Sequence, residues 1–554
     1  MIGLIAVTAA GRAAASRLSN AWPSRTRYYE GTAKQALPLA WAQCEEIVCF
    51  LAVGATVRLI APMLQSKWSD PAVVCVDEAT HYAVPLVGGH VAGANELAAR
   101  VAAVLGSEPV ITTATDSAGL GALDMLGWPA EGALAAVSRA LLDGHPVALE
   151  ADATWPIPPL PPTVGEDGEC RIVITDRIIP LDERTVVLRP PSLVAGVGAS
   201  KGVGTEEILW LVSEALTMAG LSAACLTCLA TVEAKAHEPG LVTAARERGL
   251  PLLTYPAAQL ATVPVPSPSE RVLAAVGTPS VAEAAALSRG DDLVVPKRRS
   301  AHATVAIARI RPRGRLALVG LGPGALDLLT PRAVDELQHA SVVVGLDRYL
   351  ETVRGLLRPG TEVLSSGLGE EESRARTAVQ CAQQGHAVAL VGSGDAGVYA
   401  MASPALALAG EDIDVVGVPG ISADVAAAAL LGAPLGHDHA AVSLSDLHTP
   451  WEVIERRVRA AAEGDFVVAL YNPRSATRDW QLGAALAVLA QHRPPETPVG
   501  VVRDAQRPNQ QVQLTTLAAL DPVTVDMHTL VIVGSSATQV VAGRMVTPRG
   551  YQWS

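Results

Sequence analysis

Leu316 to Arg332 reads LALVGLGPGALDLLTPR. An apolar run enters Gly320, Gly322, Pro323 and Gly324, and Thr330-Pro331 then opens an amphipathic stretch. Such a run fits a buried strand, a turn that exposes backbone, and a capped helix with Pro in its first turn. Its place in mid-chain predicts that a second complete α/β unit begins near residue 314. The Gly-Pro-Gly turn also departs from the GxGxxG fingerprint, with an acid about 20 residues on, that a nucleotide-binding dehydrogenase would carry.

A chain of 554 residues has room for several domains, each with its own core. Ala, Val, Leu and Gly dominate and Phe is almost absent, so the cores are aliphatic. The net charge of -13 argues against nucleic acid as the main partner. No apolar run approaches the roughly 20 residues a membrane helix needs, and Ile2 to Val7 reads as a first buried strand rather than a signal sequence. Seven scattered cysteines suggest reduced thiols and a cytoplasmic location. Cys225-Leu-Thr-Cys228 lacks the second pair a zinc site wants, so no metal is expected and a core strand is the better reading.

Alternating apolar runs and helical patterns give the organisation. Residues 1–130 form a first α/β domain, with strands near 47–53, 72–76 and 81–86 and a helix over 95–105. Residues 131–190 are rich in Pro and read as a small linking module with an irregular segment. Residues 191–312 form a second α/β domain, in which Thr205 caps a helix and Ser280-x-x-Glu283 reads as a capping box. Residues 313–554 form the last unit, with lobes of about 313–433 and 434–554. There Thr330-Pro331, Ser403-Pro404 and Thr449-Pro450 each place a cap residue before Pro. The fold class is therefore α/β and multidomain.

Three glycine-rich elements recur at strand ends in the last unit: GLGPG at 320–324, GSGDAGVY at 392–399 and GVPGISA at 417–423. Each would place backbone N–H groups at the carboxyl edge of a sheet, where open α/β folds bind ligands. Asp395 is a single acid in a loop of small residues, suited to a hydroxyl or an amino group. The order of these elements, followed by SLSDLHTPWEVIERR and ALYNPRS, resembles the tetrapyrrole methyltransferases of cobalamin biosynthesis over residues 314–545. Ala-Leu-Asp at 325–327, His437-Asp438 and SDLxTPW at 445–451 resemble the precorrin-3B C17-methyltransferase branch, although His439 and His448 depart from its pattern.

The resemblance implies a two-lobed tetrapyrrole methylase fold that binds S-adenosylmethionine, methylates C17 and contracts the ring of precorrin-3B or its cobalt form. Cobalt would enter only as part of the substrate. By the same resemblance, Pro323, Gly392, Ser393, Gly394, Asp395, Val398, Tyr399, Ser422, Ala423, Leu470, Tyr471 and Asn472 line the cofactor site. His437, Asp446 and His448 are candidates for the ring chemistry, and a homodimer through this half is implied because many relatives are dimers.

Residues 49–100 gather polar groups of both signs at one sheet edge: Arg58, Lys67, Asp77-Glu78 and Gly88-Gly89-His90. This segment resembles the N-terminal domain of cobalt-precorrin-5A hydrolase, which opens a lactone and releases acetaldehyde. GVGASKGVGTEEI at 196–208 and CLATVEAKAHEPGL at 228–241 resemble that family's C-terminal domain. Lactone opening needs an activated water and a stabilised oxyanion. His90 with Asp77 or Glu78 could supply the base, and Arg58, Lys67, Lys201 and Lys235 could hold the macrocycle's carboxylates. The expectation is a bifunctional corrin-ring enzyme acting on a tetrapyrrole, with no nucleic acid or membrane partner. The alternative is a methyltransferase alone, whose N-terminal half binds an intermediate without catalysis.

Overall fold

The computed structural model describes residues 1–66, 69–89, 92–112, 123, 126, 128–475 and 477–550. The chain divides into two compact units, one of residues 1–153, 160–312 and 358–360 and the other of residues 154–159, 313–357 and 361–554.

Among its described residues the first unit holds three sheets. In the first of them, strands Ile2–Ala6, Glu46–Phe50 and Ala72–Val76 run parallel, and Tyr82–Val87 folds back antiparallel. Their near-continuous apolar sequences are buried between helices, as a parallel sheet requires. The third sheet centres on Leu193–Ala199, flanked by Leu226–Val232 and Ala303–Arg309.

The middle region is more ordered than its Pro content predicts. Residues 130–188 contribute a five-stranded sheet of their own, and the stretches at 152–163 and 175–184 lack helix or strand. This sheet is fastened to the third one by Asp176, which accepts from Arg309 Nε at 2.6 Å and Nη2 at 2.9 Å. Cys225, 3.9 Å from Thr175 O, and Cys228, in the core against the third sheet, are both buried; burial pushes the Cys225 thiol up to about 12 and raises Cys228 as well.

The second unit carries two larger sheets. The first is all parallel, in the spatial order Glu362–Ser366, Val342–Leu346, Ala387–Gly392, Arg315–Gly320, Asp414–Val418. The chain leaves 315–320 toward one side and leaves 387–392 toward the other. The crevice at their carboxyl ends is therefore a topological switch point, open to a ligand. The second sheet joins His439–Ser443 parallel to Val467–Tyr471, then runs antiparallel through Thr529–Val533, Pro498–Arg503 and Gln511–Thr516. A small sheet pairs Gly432–Ala433 with Arg544–Val546 where the chain passes from one lobe to the next.

Several expected caps are different. Thr330 does cap Pro331–His339, accepting from Ala333 N–H. Ser403, however, lies inside helix Ala402–Leu408, and Pro450, not Thr449, precedes helix Trp451–Glu463. Gly204 is the cap where Thr205 was expected. Glu283 forms no capping box: it is fully buried and accepts from the backbone N–H groups of Ser267 and Lys297, at 3.1 Å each. Long-range partners took that carboxylate because burial leaves it no water.

Candidate functional site

The three glycine loops meet at the switch point. Gly320 ends the central strand of the trio, and its neighbours Gly394 and Gly420 follow the two adjacent strands. A Cβ on Gly420 would stand 2.2 Å from Gly394 O and 2.7 Å from Gly320 C, so only glycine lets these loops touch. Asp395 locks them: Oδ1 accepts Gly397 N–H at 2.8 Å and Oδ2 accepts Gly420 N–H at 3.0 Å. Gly322 and Gly394 exchange backbone hydrogen bonds of 3.0 and 2.7 Å.

A cavity of about 210 Å³ opens against this junction. It is lined by ten of the residues expected at a cofactor site: Pro323, Ser393, Gly394, Asp395, Val398, Tyr399, Ser422, Ala423, Tyr471 and Asn472. Gly392 lines a different, larger cavity, and the Leu470 side chain is fully buried in the core of the second lobe. Tyr471 is fixed by Asp424 N–H, which donates to its hydroxyl at 3.0 Å, and burial pushes that phenol far above its usual range. Tyr399 donates to Ala441 O at 2.9 Å, and its ring lies 5.0 Å from that of Tyr471.

Tyr471 and Asn472 were expected from the second lobe, but the rest of the wall it forms was missed. The hairpin between 498–503 and 511–516 brings Asp504, Ala505 and Arg507 to the cavity. Arg507 Nε donates to Pro323 O at 2.7 Å and Nη2 to Ser393 Oγ at 3.1 Å, stapling the Gly-Pro-Gly turn. A Cβ on Gly324, whose φ is +137°, would strike that guanidinium. Arg348 and Tyr349 were also missed; the Arg348 guanidinium lies 4.8 Å from the Tyr349 ring centroid. No glycine motif marks either segment, so the sequence carried no signal for them.

The larger cavity, about 880 Å³, adjoins the smaller one. Tyr349, Ser393, Tyr399 and Asn472 line both. Asn472 is aimed by its own donation to Ser443 Oγ at 3.0 Å. Of the three residues expected in ring chemistry, only His448 lines this cavity. His437 lines neither: its Nδ1 accepts Asp438 N–H at 2.7 Å. Asp446 also lies outside the lining, where it accepts from Gln481 Nε2 at 2.9 Å and stands 3.9 Å from Arg478 Nε. These contacts brace the loop that presents His448.

In the first unit, Lys67 and His90 lie outside the described residues. Asp77 closes the turn after 72–76 by accepting Tyr82 N–H at 2.7 Å, and it lines a cavity of about 340 Å³ with Cys75 and Tyr82. Glu78 is exposed in that turn, and Arg58 donates to Gly54 O on its own helix. Lys201 and Lys235 come together around Glu238. That carboxylate is 9% exposed and accepts Gly202 N–H at 2.7 Å and Lys235 Nζ at 3.0 Å. The Gly202 N–H first, then Lys235, hold Glu238 below the usual glutamate range.

Residues 315–521 match the family model "Tetrapyrrole (Corrin/Porphyrin) Methylases", 193–308 match "Cobalamin synthesis G C-terminus" and 35–116 match "Cobalamin synthesis G N-terminal". The chain is 46% identical over 239 residues to a "Probable cobalt-factor III C(17)-methyltransferase" of Salmonella typhimurium, covering 43% of this chain and 99% of that protein. It is 40% identical over 249 residues to a "Precorrin-3B C(17)-methyltransferase" of a Sinorhizobium species, covering 43% of this chain and 97% of that one. A "Cobalt-factor III methyltransferase" of Priestia megaterium is 43% identical over 249 residues, 43% of this chain, and there the chain spans about half the relative's length, 46%.

Gly420→Ala is expected to cost at least about 1–3 kcal/mol through overpacking. Gly417→Ala, which meets nothing within 4 Å, is near neutral; thermal melts of the two variants check this. Because the folded pKa of Glu238 is lowered, its contribution to stability is present above the unfolded glutamate value and is lost as pH falls through the folded value. Glu238→Gln therefore melts below the wild type near neutral pH, and the two midpoints converge as the buffer is acidified.

Proposed function

The chain belongs to the tetrapyrrole (corrin/porphyrin) methylase family through residues 315–521, and on that premise we propose that it is a bifunctional enzyme of corrin-ring construction. Its second unit methylates C17 of precorrin-3B or its cobalt form and contracts the ring. Its first unit opens the lactone of cobalt-precorrin-5A and releases acetaldehyde. The carrying observation is the pair of adjoining cavities, about 210 and 880 Å³, that share Tyr349, Ser393, Tyr399 and Asn472. One holds the methyl donor, the other the macrocycle, and the shared walls mark where the two react.

The smaller cavity fits S-adenosylmethionine chemically. The rings of Tyr399 and Tyr471 offer electron-rich faces to a sulfonium. Arg348 suits a carboxylate, and Asp395 with the flanking loops offers acceptors to hydroxyl or amino groups. When bound, S-adenosylmethionine supplies an electrophilic methyl group. The chain's own residues align the reactants and keep water out, which is most of what a displacement of this type needs. Arg507 fixes the Gly-Pro-Gly turn and Asp395 fixes the two loops beside it, so alignment rests on prebuilt backbone. His448, in the wall of the larger cavity, is placed to move a proton during ring contraction.

For the first unit, Lys201 and Lys235 form a cationic edge for macrocycle carboxylates, with Glu238 positioning them. Asp77 at the 340 Å³ cavity is the described candidate base. We place the activity in the cytoplasm, where seven free thiols stay reduced, and expect dimerisation through the second unit.

Incubation of the full chain with labelled S-adenosylmethionine and precorrin-3B, with and without cobalt, should add one methyl group to one of the two forms, read by mass spectrometry. No incorporation into either would sink the methyltransferase reading. Given cobalt-precorrin-5A, the full chain should release acetaldehyde above a heat-inactivated control; its absence would leave the first unit a binding module.

A further inference from the structure

The larger cavity contains a charge that no described carboxylate pairs with. Arg374 sits in helix Glu371–Gln383 and is 6% exposed, yet lines this space. Its Nε donates to Ser366 Oγ at 2.7 Å and its Nη2 to Gly367 O at 2.7 Å. Its Nη1 finds only the thioether of Met401, at 3.6 Å. A guanidinium has five N–H donors, and sulfur is a weak acceptor. Its partners among the described residues are all uncharged.

A buried cation without an anion is costly, and buried charges are normally paired. Arg493 shows the structural alternative in the same unit. It is 5% exposed, but its Nη1 and Nη2 both donate to backbone carbonyls, Gly534 O and Phe466 O, pinning two strand ends. Both keep unused donors, Arg493 at its buried Nε, but those of Arg374 stand in the wall of an open cavity. The acids nearby do not neutralise it: Glu371 accepts Gly369 N–H at 3.3 Å, and Glu372 is exposed on the rim. Arg457 adds a second, exposed cation to the same wall.

We infer that Arg374 binds a peripheral carboxylate of the macrocycle through its free donors and so sets which edge of the ring faces the methyl-donor cavity. This rests on the reading of the larger cavity as the tetrapyrrole site. A carboxylate presents two oxygens to a planar fork, a match that a lysine point charge does not make. Ser366 and Gly367 act as positioning groups that hold the fork in place, while Met401 covers Nη1 without competing strongly for it.

The test compares uroporphyrin III with its octaamide, in which every carboxylate is uncharged, by equilibrium binding to the full chain. Arg374→Met should weaken uroporphyrin binding at least about ten-fold, the scale of a lost charge-assisted pair. It should leave the octaamide and S-adenosylhomocysteine affinities unchanged. Arg374→Lys should fall between. Equal weakening of acid and amide, or no weakening, overturns the inference. Should Arg374→Met also lose S-adenosylhomocysteine, Arg374→Lys decides: reduced uroporphyrin affinity with intact S-adenosylhomocysteine binding supports the assignment, and unchanged uroporphyrin affinity overturns it. A wild-type chain that methylates precorrin-3B while Arg374→Met keeps its KM overturns this inference alone. A wild-type chain that neither methylates nor binds uroporphyrin overturns the tetrapyrrole site as well.

Discussion

The second unit depends on one carboxylate. Asp395 accepts N–H groups from Gly397 in its own loop and from Gly420 in the next one. Those loops follow the strands on either side of 315–320, so a single side chain ties together the carboxyl edge of the sheet. The close approach of Gly320, Gly394 and Gly420 makes the tie possible, since a Cβ on Gly320 or Gly420 would strike backbone. Charge-assisted hydrogen bonds to backbone N–H are among the stronger ones available. The Gly-Pro-Gly loop joins the same edge through the backbone pair of Gly322 and Gly394.

The second lobe builds on this rigid edge. Arg507 reaches the Gly-Pro-Gly turn, and Asp424 N–H fixes Tyr471. Tyr399, Asn472, Asp504 and Gln506 all hold positive φ around the same cavities. Non-glycine residues in that region cost roughly 1–3 kcal/mol each. Such strain persists where surrounding contacts over-determine the backbone. Here those contacts include Tyr399 to Ala441 O and Asn472 to Ser443 Oγ. The first unit uses another device: Glu238 draws the Gly202 loop and Lys235 together, and Gly240 lets its helix start approach Val203 O.

Legibility followed chemistry that is local in sequence. Strands at 387–392 and 529–533 are readable from apolar runs, because burial on both faces leaves no polar alternation. The hairpin at 498–503 and 511–516 was not, since VVRDAQRPNQQVQL is polar and half exposed. Most of the cofactor wall was legible through its glycines. Arg348, Asp504 and Arg507 were not, as nothing beside them distinguishes them from surface polar residues. His437, Asp446 and His448 looked equivalent in sequence, and only the fold brought His448 to the cavity.

By itself, the sequence determined the α/β alternation, the place of a second unit near residue 314 and the three glycine loops at strand ends. These follow from hydrophobic period and from backbone that only glycine permits. Tertiary structure decided which strands neighbour one another, hence where the switch point falls and which loops touch. It also decided that Arg507 staples a turn across 184 positions of chain, that Glu283 serves distant N–H groups instead of its own helix, and that Arg374 is buried beside open space. Those outcomes depend on long-range contacts and desolvation, which no local pattern encodes.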